Sequence, residues 1–165
     1  MLAPAHTLGS STVSMDRTAA EPQRKRVRDA LEFVRLGYGD QFGLGFRSLY
    51  FRTDELTTAE AQEAMRNIEY NGFDGNQVAD AIEQFKGKIA AYEFGRESSP
   101  VLYVCLPFWT HHREGEPHDK MGRRIDDAEI DALVERLRDT LVGKLRADEF
   151  EIVEMGWRKV RAWWD

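Results

Sequence analysis

The sequence predicts an α+β domain with a ferredoxin-like fold, in which helices cover mainly one face of an antiparallel sheet. The 165 residues are 42% hydrophobic and 32% charged, as is typical of one globular domain. Segments with helical periodicity alternate with apolar runs that are typical of strands. Without the first helix and the last strand, the elements follow the order β-α-β-β-α-β of the split βαβ fold.

The chain is expected to divide into a disordered tail, residues 1–20, and a single α+β domain, residues 21–165. The tail lacks both a basic start and an unbroken apolar run, so it is a poor signal peptide. Met15 is an alternative start. A helix over residues 21–36 follows from an apolar stripe at helical spacing, formed by Val27, Ala30, Leu31 and Val34.

The first strand and the crossover after it are expected between residues 46 and 86. Residues 46–53 alternate in polarity as in a strand. Thr57 and Glu60 form the pattern of a capping box, which begins a helix that extends to about Tyr70. After a turn that contains two glycines, a shorter helix over residues 76–85 completes the crossover.

Two runs, residues 88–94 and 100–109, are separated by a short polar link and predict an antiparallel hairpin. The second run is apolar on both faces, which favours a position in the middle of the sheet. Its single cysteine, Cys105, is expected to be an inert core residue, because burial raises the pKa of a thiol.

The last third of the chain predicts one long helix and two strands. Asp126 and Glu129 form a second capping box, and an apolar stripe continues from there to Leu145. A strand is expected over residues 149–155, and a last strand over residues 157–164.

Three of the four histidines lie in one loop and raise the possibility of a divalent-metal site. His111, His112 and His118 with Asp119 provide the ligand types that a catalytic zinc or iron uses, and Glu114 is a candidate base. The loop has no H-x-H or H-E-x-x-H spacing, however. A solvated loop without a metal is therefore the alternative, and no other cofactor is expected.

The last strand carries aromatic and basic residues in alternation. Trp157, Lys159, Arg161 and Trp163 share one face, and Trp164 follows. Tryptophan and arginine are enriched at protein interfaces, while interleaved aromatics and cations also suit single-stranded nucleic acid. The net charge of −6 disfavours nucleic acid. A third possibility is that the tryptophans pack in the core and the cations meet nearby acids.

We therefore expect a non-enzymatic, cytoplasmic binding domain that contacts a protein partner or a second copy of itself. The last strand, at an exposed edge of the sheet, would form the interface of a homodimer. A metal-dependent hydrolase and a single-strand nucleic-acid binder are the alternatives. One cysteine excludes an internal disulfide, and no run approaches the roughly 20 apolar residues that a membrane span needs.

Overall fold

A computed structural model of the protein describes residues 20–39, 50–109, 117–118, 126–155 and 157–165. It contains a five-stranded sheet, two short hairpins and helices that pack on the sheet. The described helices are α1 (Ala20–Gly39), α2 (Thr58–Met65), α3 (Gly75–Ile82) and α4 (Asp127–Arg138). A 3₁₀ turn, Glu83–Phe85, extends α3, and a π-helical segment, Asp139–Lys144, extends α4. None of these helices is both long enough and apolar enough to cross a bilayer.

The main sheet is antiparallel throughout, with the strand order β1-β4-β5-β9-β8. Its strands are β1 (Tyr50–Arg52), β4 (Ala91–Glu97), β5 (Ser99–Cys105), β8 (Glu149–Met155) and β9 (Trp157–Trp163). The two hairpins consist of β2 (Glu69–Tyr70) with β3 (Phe73–Asp74), and of β6 (Phe108–Trp109) with β7 (Pro117–His118). The apolar strand β5 lies in the middle of the sheet, as the sequence predicts.

The α+β class is confirmed, but the strand order differs from the predicted ferredoxin-like arrangement. A split βαβ unit has parallel strands on either side of its crossover, with another strand between them. Here β1 pairs directly and antiparallel with β4, and Phe51 lies opposite Arg96. β1 and β4 are antiparallel neighbours because α2 and α3 do not form a single crossover connection. The β2–β3 hairpin between them folds the chain back, so it returns to the end of the sheet that it left.

The last strand also differs from its predicted position. β9 lies between β5 and β8, with Val160 opposite Val104 on one side and opposite Ile152 on the other. Both backbone edges of β9 are therefore paired, and the expectation of an exposed edge at this strand is wrong. Among the described strands, β8 and the three-residue β1 form the two edges of the sheet.

The core lies between one face of the sheet and the helices. Alternation along the strands directs buried side chains to this face, among them Tyr92, Phe94, Leu102, Val104, Val160 and Ala162. The predicted helical stripes meet them, including Val27, Leu31 and Val34 of α1 and Ile130, Leu133, Val134 and Leu137 of α4. Trp164 joins this core fully buried, packs edge-on against Phe73 at 5.0 Å and donates its Nε1–H to the carbonyl of Leu145.

The helix starts follow the predicted caps, while the end of α2 does not. Thr57 and Glu60 exchange their hydrogen bonds at the start of α2, as Asp126 and Glu129 do at the start of α4. The helix ends at Met65 rather than near Tyr70. Asn67 takes a positive φ of 66° just beyond it, which breaks the helical path before the β2–β3 hairpin. Helix α1 agrees with the predicted span and reaches Gly39.

Gly95 provides a direct test of this sheet. A Cβ atom at this position would lie 2.2 Å from the carbonyl oxygen of Phe51 in β1, so the two strands would have to separate. We expect Gly95→Ala to lower the free energy of unfolding by about 3 kcal/mol. Gly143→Ala is the matched control, because nothing lies within 4 Å of the added methyl group. It should leave stability unchanged or raise it by up to ~1 kcal/mol. Urea denaturation measures both, and equal stabilities for the two variants would contradict the close approach of β1 and β4.

Candidate functional site

The face of the sheet opposite the helices carries most of the chemistry among the described residues. It results from the same alternation that builds the core, because residues that neighbour the core positions point the other way. We call this surface the polar face. Its described members include Arg52, Glu93, Glu97, Tyr103, Cys105, Glu149, Glu151, Lys159, Arg161 and Trp163.

A buried ion pair lies at one end of the polar face. The Nζ of Lys159 lies 2.5 Å from Oε1 of Glu93, and the two side chains are only 5% and 9% exposed. The guanidinium of Arg52 contacts the other carboxylate oxygen at 3.2 Å and also lies over the ring of Tyr103. Glu93 and Lys159 belong to strands on either side of β5, so the pair reaches across the strand between them.

A second cluster is centred on Arg161 of β9. Its guanidinium donates to Glu97 at 2.7 Å, to Glu149 at 2.6 Å and to Glu151 at 3.2 Å. Tyr103 donates its hydroxyl to Glu97 as well. Burial by itself would raise the pKa of Glu97, but the hydrogen bonds from Tyr103 and Arg161 outweigh it and hold the pKa below its usual value.

The one cysteine is not set up as a nucleophile. Cys105 lies opposite Lys159 in the sheet and is only 4% exposed. Burial, with a smaller contribution from the negative charge of Glu93, raises the pKa of the thiol to about 12. The group is therefore a neutral thiol at physiological pH, as the sequence predicts for a core cysteine.

The structure divides the predicted interface residues between two surfaces. Lys159 and Arg161 lie on the polar face, where carboxylates engage both. Trp163 is half-buried on the same face and donates its Nε1–H to the carbonyl of Glu97. Trp164 lies in the core on the other side, and Trp157 begins β9 opposite Met155. Three of these residues agree with the third possibility, since Trp164 packs in the core and Lys159 and Arg161 meet acids.

The predicted metal site cannot be placed. His111, His112, Glu114 and Asp119 lie outside the described residues, and His118 is described only as a member of β7 opposite Phe108. Elsewhere in the described chain, no three histidine, cysteine or carboxylate side chains come together as metal ligands would.

The sequence did not single out the acidic residues of the polar face or the free edge of the sheet at β8. Glu93 lies in the predicted strand 88–94, whereas Glu97 lies in the predicted polar link, which the structure makes the end of β4. No local pattern shows that β9 lies two strands away from them. One signal was present, because Glu93 is an acid inside an otherwise apolar run. A buried acid requires a partner cation, and the alternating Lys159 and Arg161 were the cations that matched it.

The edge strand β8 exposes apolar surface. Ile152 is 41% exposed, and Val142, on the π-helical segment that packs against β8, is 37% exposed. Phe150 is half-buried beside them, with the guanidinium of Arg138 4.4 Å above its ring. Four large hydrophobic residues are exposed in the described chain, and two of them lie at this edge.

Comparisons of the chain with protein-family models, with curated proteins and with solved structures found no match.

Because the ion pair is buried, removing one of its charges should lower the free energy of unfolding much more than removing both. Lys159→Met leaves the buried carboxylate of Glu93 with Arg52 alone, so the free energy of unfolding should fall by about 3 kcal/mol. The double variant Lys159→Met/Glu93→Leu removes both charges and should regain most of that loss. Urea denaturation measures both variants. A single variant as stable as the unsubstituted protein would show that the pair is not buried as described.

Glu97 predicts a contribution to stability that depends on pH. Its folded pKa lies below the unfolded value, which is close to 4.5. The contribution is therefore fully present above about pH 4.5 and is lost as the pH falls through the lowered folded pKa. Glu97→Gln should be less stable than the unsubstituted protein at about pH 7, and the difference should shrink at about pH 3. Urea denaturation midpoints of both proteins at both pH values test this prediction. A stability difference that is larger at the acidic pH would contradict a lowered pKa of Glu97.

Proposed function

We propose that this protein is a non-enzymatic binding domain that self-associates, with two copies pairing their β8 strands edge to edge. The proposal rests on the edge strand β8. β8 is seven residues long, pairs with β9 on one side only within the described structure, and exposes Ile152. A strand with one row of unpaired backbone N–H and C=O groups can pair with another chain. The interface predicted for the last strand therefore moves to its neighbour.

Several features that normally block an edge strand are missing from β8. Its sequence, EFEIVEM, contains no proline, no lysine and no glycine. The opposite edge, β1, has only three residues and offers much less backbone. Among the described strands, β8 is thus the edge better suited to pairing. Its three glutamates still oppose pairing with another strand, and a second copy has to accommodate them.

One register accommodates the glutamates. A two-fold axis through Ile152, perpendicular to the sheet, pairs β8 antiparallel with itself over all seven residues. Glu151 then lies opposite Val153 of the other copy, and Glu149 lies opposite Met155. Like charges directly opposite one another destabilise a strand pair, and this register avoids them.

The apolar residues at the edge would stabilise the pair. Ile152 meets its own copy on the axis, and Val142 is a second exposed aliphatic residue, on the π-helical segment that contacts β8. Full burial of a large aliphatic side chain contributes about 1.5–3 kcal/mol, and the symmetry counts each residue twice. Each copy carries a net charge of −6, so salt should strengthen the association by screening repulsion. Nucleic-acid binding would show the opposite salt dependence.

The contacts on the polar face favour a binding function rather than a catalytic one. Its described acids form ion pairs with its described cations, and Cys105 remains protonated at neutral pH. A general acid or base needs a group with a pKa near the working pH and room for a substrate. The groups on the polar face are instead engaged with one another in ion pairs.

Light scattering after size exclusion tests the proposal. We expect the unsubstituted protein to be a dimer at about 100 µM and to dissociate into monomers on dilution. Ile152→Lys adds a lysine at the centre of the edge, which should give a monomer with nearly unchanged thermal stability.

Tyr50→Lys is the matched control. Tyr50 is 68% exposed on β1, at the other edge of the sheet, so this variant should remain a dimer. A monomeric unsubstituted protein at about 100 µM would contradict the proposal. A dimer that survives Ile152→Lys would exclude β8 as its interface.

A further inference from the structure

A cavity of about 340 Å³ lies between the start of α3 and the end of the π-helical segment. Asp74, Gln77 and Val78 line it on the α3 side, and Lys144 and Arg146 line it on the other. The cavity includes neither the polar face nor the β8 edge. Its volume falls at the lower end of the range for sites that hold small molecules.

The charges around the cavity are unbalanced. Lys144 and Arg146 form no ion pair with any described residue. Asp74 is the one acid in the lining, and it already accepts hydrogen bonds from the backbone N–H of Gln77 at 3.0 Å and from Nε2 of Gln77 at 2.7 Å. The backbone hydrogen bond from Gln77 is the main cause that lowers the pKa of Asp74, so its carboxylate is ionised at neutral pH. Two cations that form no ion pair with a described residue therefore line the cavity together with one acid that already accepts two hydrogen bonds.

The backbone at Arg146 has a left-handed conformation, which is uncommon for a residue other than glycine. Arg146 ends the helical segment with a φ of 57°, and the N–H of Ala147 closes the end by donating to the carbonyl of Leu141. Helices that end in this way usually have glycine at this left-handed position, because a side chain there is strained. Arginine at this position weakens the helix end. Arg146, which is among the residues that line the cavity, is therefore present at a cost in stability.

We propose that this cavity binds a small organic anion, with its carboxylate or phosphate group held between Lys144 and Arg146. The guanidinium presents a planar pair of donors to such a group, and the ammonium adds a second positive charge. Val78, which is buried, provides an apolar wall for the rest of the molecule. The negative charge of Asp74 opposes the two cations and weakens the binding of any anion.

Calorimetric titration with inorganic phosphate and with citrate, at low ionic strength, tests this site. We expect saturable binding of one anion per chain for at least one of the two probes. Binding of phosphate alone would assign the site to phosphate esters, and binding of citrate alone would assign it to carboxylates.

Arg146→Gly separates binding from folding. Glycine removes the backbone strain, so the melting temperature should rise by about 2–4 °C while anion binding weakens by about tenfold or more. Lys88→Ala is the control. Lys88 is exposed and lies outside the cavity lining, so its loss should leave anion binding unchanged.

Asp74→Asn tests whether the negative charge of Asp74 weakens anion binding. Asparagine caps a helix as well as aspartate does, so α3 should be retained while the like charge disappears. Anion binding should then become tighter. The proposal is overturned if neither probe binds saturably, if Arg146→Gly binds as tightly as the unsubstituted protein, or if Asp74→Asn weakens binding.

Discussion

The insertion of β9 between β5 and β8 is the constraint on which the rest of the sheet depends. Val160 is paired on both sides, so β9 has a neighbour along each edge. This position carries Lys159 and Arg161 to the polar face beside the acids of β4 and β8. It also leaves β8 as the outer strand. The ion-pair network and the proposed dimer edge are thus two results of one strand placement.

The polar face also explains why β9 takes a single register. The side chains of a strand alternate, so a slip by one residue would turn Lys159 and Arg161 into the apolar core and expose Val160 and Ala162. Buried ion pairs contribute little net stability compared with apolar residues of the same size, but a buried charge without its partner is costly. We infer that the contacts of Lys159 with Glu93 and of Arg161 with Glu97 favour the correct pairing mainly by penalising incorrect ones.

Local features of the fold could be predicted from the sequence, and non-local ones could not. The helix starts at Thr57 and Asp126 followed from capping boxes, which involve residues three positions apart. The central place of β5 followed from apolar residues on both of its faces. The order of the strands depends on contacts between distant segments, such as Glu93 with Lys159, 66 residues apart. No local pattern specifies which of several strands lies beside β9.

The candidate site shows the same limit. The sequence singled out Lys159 and Arg161 but not their carboxylate partners, because the partners become neighbours only through the strand order. The left-handed backbone at Arg146 was missed for a different reason. Glycine would have indicated it, and arginine at that position gives no sequence signal.

Amide hydrogen exchange across the main sheet tests the position of β9 between β5 and β8. In dilute protein, the amides of β9 should be protected along the whole strand, since β5 and β8 pair with both of its edges, while every second amide of β8 should exchange rapidly. At high protein concentration, those rapidly exchanging amides of β8 should become protected as two copies pair. An alternating pattern of protection in β9, as in an edge strand, would contradict the strand order. Exchange in β8 that does not change with concentration, in a protein that dimerises, would contradict the pairing of β8 strands.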